Sequence, residues 1–510
     1  MKRWFALIAL LVLVFGLPGG GAVAQNGNVL GRDLDRLLAD PRLAGASAGL
    51  VVRDADSGEL LYTRAGAGRM APASNAKLIT TATALEVLGA DHRLHTDVLT
   101  DGRRHGGFLD GNLYLRGTGD PTMLAKDYQG LAASLATGGV RVVRGSLVAD
   151  DTWFDAERLG TGWAWDDEPY YYSAQISALT VSPDTDYDAG SVIVRVKPAA
   201  AAGGPAQVEL DPPTDYVKID STATTGPGDG ISVDREHGTN VIRVRGTIPV
   251  GAPTVTEFIA VWNPTAFVAS IFRKALADNG IRVIGGTEFR ATPQDAQQLD
   301  SRQSMPLGEL LVPLLKLSNN MHSEMLVKSA GRKEFGVGSW EAGLRALNAR
   351  LPGLGVDSAA LRLHDGSGLS RMDLVAPDQI VALLTAAKGK PWFDTWYRAL
   401  PIAGEPDRLQ GGTLRNRMRG TAAQGNVHAK TGSLTGVTAL SGYVTSADGR
   451  HLVFSLMQNS FVSGGPTDIE DAVAVRLANL RAGQGELVGA RAATPASTGA
   501  DLECSWTKSC

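Results

Sequence analysis

The feature that most constrains this chain is the distance between its reactive residues. Ser74 and Lys77 stand at i and i+3 just ahead of an apolar helical stretch, yet the groups that would complete their chemistry come far downstream. Ser318-Asn319-Asn320 falls at a break between two apolar runs, and Lys430-Thr431-Gly432 falls in a strand-like run. If the three segments meet, the fold must leave one domain after its first helix, insert a long stretch, and return to it.

The patterning along the chain agrees with that plan. Residues 46–64 read as a hairpin, with Asp56-Ser57-Gly58 as its turn. After Ser74, the residues Leu78, Ala82, Leu85 and Leu88 are spaced for one face of a helix. From about His95 to Trp262 short strand-like runs alternate with Gly, Asp and Pro, including Leu113-Tyr114-Leu115 and Val192 to Val196. This stretch also holds an aromatic cluster, Trp163, Trp165 and Tyr170-Tyr171-Tyr172, for which packing of a small domain is the simpler reading. Helical spacing returns at Asn263-Pro264-Thr265, and strand-like runs return after residue 430. The expectation is an α/β protein of the α+β kind, an antiparallel sheet flanked by helices. Residues 25–95 and 263–484 form the main domain, 96–262 form a β-rich inserted domain, and 485–510 form a flexible tail.

Composition enters mainly as exclusion. The chain of 510 residues is 44% hydrophobic and 20% charged, with a net charge of −4 and scattered basic residues, so it has no nucleic-acid footprint. Lys2 and Arg3, an apolar run from Trp4 to Leu17, and Ala22-Val23-Ala24 read as an export signal occupying residues 1–24. The run is shorter than the ~20 residues that span a bilayer. The mature protein is therefore expected outside the cytoplasm, in the periplasm or cell wall, soluble or in peripheral contact with the membrane. Cys504 and Cys510 both lie in the tail, which leaves no thiol for a core nucleophile or a zinc site.

The candidate site follows from the residue types. On a helix, Ser74 and Lys77 share a face. A serine hydroxyl is a poor nucleophile until a base takes its proton. Lys77 can be that base only when neutral, which requires burial and a second cation nearby, and Lys430 is the candidate. The helix N-terminus adds a positive field beneath Ser74. Ser318 can relay a proton between the lysines and a leaving amine, and the Asn320 amide can hold Lys77 and a substrate carbonyl. Read alone, Ser318-Asn319-Asn320 would more simply be a helix cap. Lys430 and Thr431 are candidates to bind an anionic carboxylate. Gly432 is expected to leave room for a substrate backbone along the strand. The backbone N–H groups of Ser433 and Ser74 are candidates for an oxyanion hole. A second Ser-x-x-Lys, Ser505 to Lys508, lies in the tail with no apolar helix after it and is read as a chance match.

These three motifs resemble those of the low-molecular-mass class C penicillin-binding proteins, the D-alanyl-D-alanine carboxypeptidase/endopeptidases. The resemblance spans nearly all of the mature chain, and includes Gly119-Asp120-Pro121-Thr122 and Asp365-Gly366-Ser367-Gly368-Leu369-Ser370. It implies a transpeptidase-type domain and a serine carboxypeptidase that cleaves stem peptides ending in D-Ala-D-Ala through an acyl-enzyme. It implies covalent inhibition by β-lactam antibiotics, and neither metal nor cofactor. Other readings are weaker. A class A β-lactamase would be shorter and would carry a Glu-x-x-Leu-Asn element that is not found here. Gly45-Ala46-Ser47-Ala48-Gly49 fits Gly-x-Ser-x-Gly, but a strand follows where an α/β-hydrolase needs a helix. A non-catalytic peptidoglycan-binding or sensor protein would have no need of intact Ser74, Lys77 and Lys430.

Overall fold

The computed structural model describes residues 29–228 and 230–481. The expected export segment, the tail with Cys504 and Cys510, and Ser505 to Lys508 lie outside the described residues.

Five antiparallel strands build the central sheet: β1 (Ser47–Asp54), β2 (Leu60–Arg64), β3 (His428–Leu434), β4 (Val437–Thr445) and β5 (His451–Asn459). Their spatial order is β3-β4-β5-β1-β2. The first and last parts of the chain therefore pair directly, Leu50 opposite Leu456, and everything between can be inserted without opening the sheet. Side chains alternate across a strand. Leu50, Val52, Phe454 and Leu456 accordingly share one core with helices Val29–Leu37 and Thr467–Ala478. Val51, Val453 and Met457 face the other core with helices Ala76–Leu88, Leu307–Lys316, Asn320–Phe335 and Pro377–Ala387. Ser47 of the Gly-x-Ser-x-Gly match opens β1 opposite Asn459, with no helix after it.

Helix Ala76–Leu88 is more buried than its spacing implied. Ile79, Ala84 and Val87 are inside as well as Leu78, Ala82 and Leu85, as expected of a helix that is apolar nearly all round. Two of its threonines return their hydroxyls to the helix, Thr81 to Lys77 O at 2.6 Å and Thr83 to Ile79 O at 2.7 Å, and the third, Thr80, finds an acceptor outside it.

The inserted material contains its own core, and it reaches further than the pattern indicated. Helix Pro264–Asp278 forms where expected, capped by Asn263. Its Phe267, Phe272 and Leu276, however, pack with Val98 and Leu115 of the inserted sheets and with Tyr128 of an inserted helix, not with the main domain. Strand Gln297–Gln303 then pairs with His95–Thr100, which carries the inserted pairing well past residue 262. Helical spacing shows that a face is buried without showing which sheet buries it. A further helix, Ala125–Thr137, lies inside the stretch read as β-rich.

Candidate active site

Ser74 occupies a short 3-10 turn, Ala73–Asn75, that runs straight into helix Ala76–Leu88. Ala73 before it has φ +45°, a left-handed conformation that costs a residue with a Cβ about 1 kcal/mol and recurs at functional turns. Lys77 is fully buried. Its Nζ donates to three oxygens: Ser74 Oγ at 2.8 Å, Asn320 Oδ1 at 2.7 Å and the Ser367 carbonyl at 2.9 Å.

The turn between helices Leu307–Lys316 and Asn320–Phe335 divides its labour. Asn319, the middle residue, does the capping, its side chain accepting from His322 N at 3.3 Å. That leaves Ser318, held at φ +60°, and Asn320 for other contacts. Ser318 Oγ accepts from Lys430 Nζ at 2.8 Å, and Lys430, also fully buried, donates to Thr431 O at 2.8 Å. Thr431 Oγ1 donates to Thr413 Oγ1 at 2.8 Å. The Thr413 segment is tied down by Lys316, whose Nζ donates to Leu400 O and Gln410 O at 2.5 and 2.6 Å, and which burial pushes down to about 8.

All five candidate catalytic residues therefore meet. Ser74, Ser318, Asn320 and Ser433 line one cleft, with Lys77 and Lys430 buried beside it. Two further walls complete the cleft. One is the turn Asp365 to Ser370, which supplies the Ser367 carbonyl. The other comes from the insert, where packing was the simpler reading of the aromatic cluster. Tyr171, Tyr172 and Asp188 line the cleft, and Asn320 Nδ2 donates to Tyr172 O at 2.8 Å. Asn319 Nδ2 likewise donates to Tyr187 O at 3.0 Å and to Asp188 Oδ1 at 3.1 Å. A backbone carbonyl has no sequence signature, so these partners could be found only in three dimensions.

Gly432 also makes room on the protein's own side of the strand. A Cβ there would lie 2.9 Å from Pro72 O, 3.0 Å from Asn75 Nδ2 and 3.1 Å from Ser74 N. The missing side chain thus faces the nucleophile's own turn and lets β3, an edge strand, press against it; Asn75 Nδ2 closes the seam on Lys430 O at 3.2 Å. Gly432→Ala should push the strand and the Ser74 turn apart and slow acylation by roughly 10–100-fold with little change in melting temperature. Acylation kinetics with a fluorescent penicillin would check this, and an unchanged rate would mean the contact gives way freely.

His322 is fully buried, with Nε2–H donating to Tyr187 O at 2.8 Å, and burial holds it down at about 4. Between pH 6.5 and 4 the unfolded chain gains a proton there that the folded protein refuses. His322 therefore takes away stability as pH falls through that window, about 3 kcal/mol in total. Glu470 and Glu324, pushed up to about 7 by burial, act in the opposite sense. Urea midpoints of wild type and His322→Gln should converge on acidification from pH 7 to 4.5; parallel curves would contradict a neutral His322.

Among the described residues, Asp184, Asp186 and Asp188 bring their carboxylate oxygens within 4.8 Å of one another. The cluster is engaged by the protein itself, Asp186 with Arg408 at 2.5 Å and Asp188 with Asn319.

A sheet entered by a serine-lysine helix on one side and closed by a lysine-bearing edge strand on the other is the framework of the penicillin-binding proteins. The crystal structure of penicillin binding protein 4 (dacB) from Haemophilus influenzae superimposes with a TM-score of 0.76 at 26% identity, covering 87% of this chain and 98% of that one. In sequence, the D-alanyl-D-alanine carboxypeptidase of Actinomadura sp. (strain R39) is 47% identical over 100% of this chain and 96% of its own length. The D-alanyl-D-alanine carboxypeptidase DacB of Haemophilus influenzae is 28% identical over 89% and 92%. The chain belongs to the D-Ala-D-Ala carboxypeptidase 3 (S13) family, whose model matches residues 30–480. Its activity is that of a carboxypeptidase.

Proposed function

We propose that Ser74 is the nucleophile of this carboxypeptidase, acylated by peptidoglycan stem peptides ending in D-Ala-D-Ala, with Lys77 as its general base. The three-oxygen cage around Lys77 Nζ carries this reading. As ammonium, Lys77 fills all three acceptors. As neutral amine it has two N–H groups and one lone pair. Neither the Ser367 carbonyl nor Asn320 Oδ1 has a proton to offer, so both N–H groups go to them. The lone pair is left facing the one partner that does, the Ser74 hydroxyl.

Lys77 takes the Ser74 proton as Oγ attacks the carbonyl carbon of the penultimate D-Ala. The oxyanion is received by the backbone N–H groups of Ser74 and Ser433, in the positive field of the helix N-terminus. Collapse breaks the C–N bond, and the leaving amine takes a proton from Ser318, replenished by Lys430 through their 2.8 Å hydrogen bond. Lys77 passes the proton it took back through Ser318 to Lys430; neutral again, it accepts a proton from water as that water attacks the ester, and returns it to Ser74 Oγ as the shortened peptide leaves. Asn320 uses one N–H on Tyr172 O and has a second to offer a substrate carbonyl. Lys430 and Thr431 draw in the terminal carboxylate, and the free side of β3 pairs with the extended peptide.

A β-lactam would enter the same path and stop at the ester, in keeping with the penicillin-binding relative. The proposed substrate and the charged and apolar N-terminal run both support a location outside the cytoplasm; among the described residues no helix is long and apolar enough to cross a membrane. We take the inserted material as a unit that shapes access for cross-linked wall, including cross-bridges as endopeptidase substrates, while lending Tyr171, Tyr172 and Asp188 to the cleft. The test is release of D-Ala from a pentapeptide ending in D-Ala-D-Ala, blocked by one equivalent of benzylpenicillin per protein. Release that persists after stoichiometric β-lactam modification would overturn the shared-site reading.

A further inference from the structure

Helix Asn320–Phe335 touches Lys77 directly through Asn320, and one turn further along it presents a buried carboxylate that the mechanism above does not use. Residues four apart share a helix face. Glu324 is fully buried, and its two oxygens take three N–H donors between them. Oε1 accepts from Ser367 N at 2.8 Å, and Oε2 accepts from Gly366 N and from Trp340 Nε1, each at 2.8 Å.

The two backbone donors flank the peptide unit that leads to the Ser367 carbonyl, the third oxygen of the Lys77 cage. The same segment is held from the nucleophile's helix, where Thr80 Oγ1 donates to Gly366 O at 2.7 Å. A close approach makes the clamp possible. A Cβ on Gly366 would lie 2.4 Å from Val327 Cγ2 and 2.9 Å from Ser323 O, so only glycine lets this backbone lie directly on the helix that carries Glu324.

Three donors converging on one side chain ask for a group with acceptor capacity on both terminal atoms, which a carboxylate has and a glutamine amide lacks. An amide there would turn its NH2 against a backbone N–H and expel part of the turn.

We propose that Glu324 is a positioning residue for acyl transfer: with Thr80 it fixes the Gly366-Ser367 segment so that the Ser367 carbonyl occupies one N–H of Lys77 and aims the lone pair at Ser74. The proposal rests on Lys77 acting as the base. Substrate-binding groups on the cleft surface are untouched by it, so the consequence falls on the chemical step. Losing the clamp lets the carbonyl swing, and the amine spends part of its time with its lone pair turned away from Ser74.

The experiment measures benzylpenicillin acylation by quench-flow and intact mass, separating the dissociation constant of the non-covalent complex from the acylation rate constant. Glu324→Gln is expected to lower the rate constant by roughly 10–100-fold, with the dissociation constant within about 3-fold of wild type. Thr80→Val, nearly isosteric and on a different helix, should lower the rate constant by roughly 3–10-fold in the same way. A folded Glu324→Gln protein with wild-type acylation, or one in which only the dissociation constant moves, overturns the proposal. If Glu324→Gln does not fold, Thr80→Val decides: a slower acylation step upholds the clamp and an unchanged one overturns it. Failure of the parent reading looks different, since wild type itself would then carry no adduct on Ser74.

Discussion

Replacing Ser74 with alanine is expected to abolish covalent labelling by benzylpenicillin and to lower D-Ala release by about 10^4-fold or more, because the atom that forms the acyl bond is gone. The fold should survive. The hydroxyl's contact with Lys77 Nζ is replaceable by water at the cleft surface, and Ala73, Asn75 and the helix behind them are unchanged. Intact mass after incubation with β-lactam should show one adduct on wild type and none on the variant, with melting temperatures within a few degrees. An adduct that survives the substitution would disprove the assignment, and one mapped to Ser505 would move the chemistry to the tail.

That prediction was open to the sequence because Ser74 and Lys77 report on each other locally. Three residues on a helix fix a geometry with no help from the rest of the chain. The strand-like run around Lys430 was legible too, and its pairing makes it β3, at the sheet's edge. Other parts of the site are set by register and tertiary approach. Whether Gly432 faces a substrate or the Ser74 turn depends on which face of β3 lies against that turn, which two-residue alternation alone does not decide. The carbonyls of Ser367 and Tyr172 act as backbone atoms, and any residue type would supply them. The aromatic cluster of the insert was visible, and packing was the simpler account. Tyr171 is buried as packing requires, yet it and Tyr172 also line the cleft. Helix Pro264–Asp278 was legible as a helix and misassigned as to core, since Phe267 and Phe272 would suit either sheet equally well.

The two lysines give the second large effect, and they should fail differently. Lys77→Arg keeps a cation but has no accessible neutral form, since a guanidinium stays protonated in proteins. It therefore offers donors to Ser74 where the mechanism needs a lone pair, and a planar fork does not fit a closed cage of three oxygens. Acylation should fall by about 10^3-fold or more. Lys430 is asked for something an arginine retains in part, a positive charge that donates to Ser318 Oγ and draws in a carboxylate. Lys430→Arg should lower acylation by only about 10–100-fold, much of it from fitting a larger group into a fully buried site, and should weaken binding of the D-Ala-D-Ala peptide. Far-ultraviolet circular dichroism would establish that both variants fold, and the same quench-flow measurement would rank them. Equal losses in the acylation rate constant would mean that base and anion binder are not divided between Lys77 and Lys430. A larger loss at Lys430 would make it the proton acceptor, with Ser318 as the relay that connects it to Ser74.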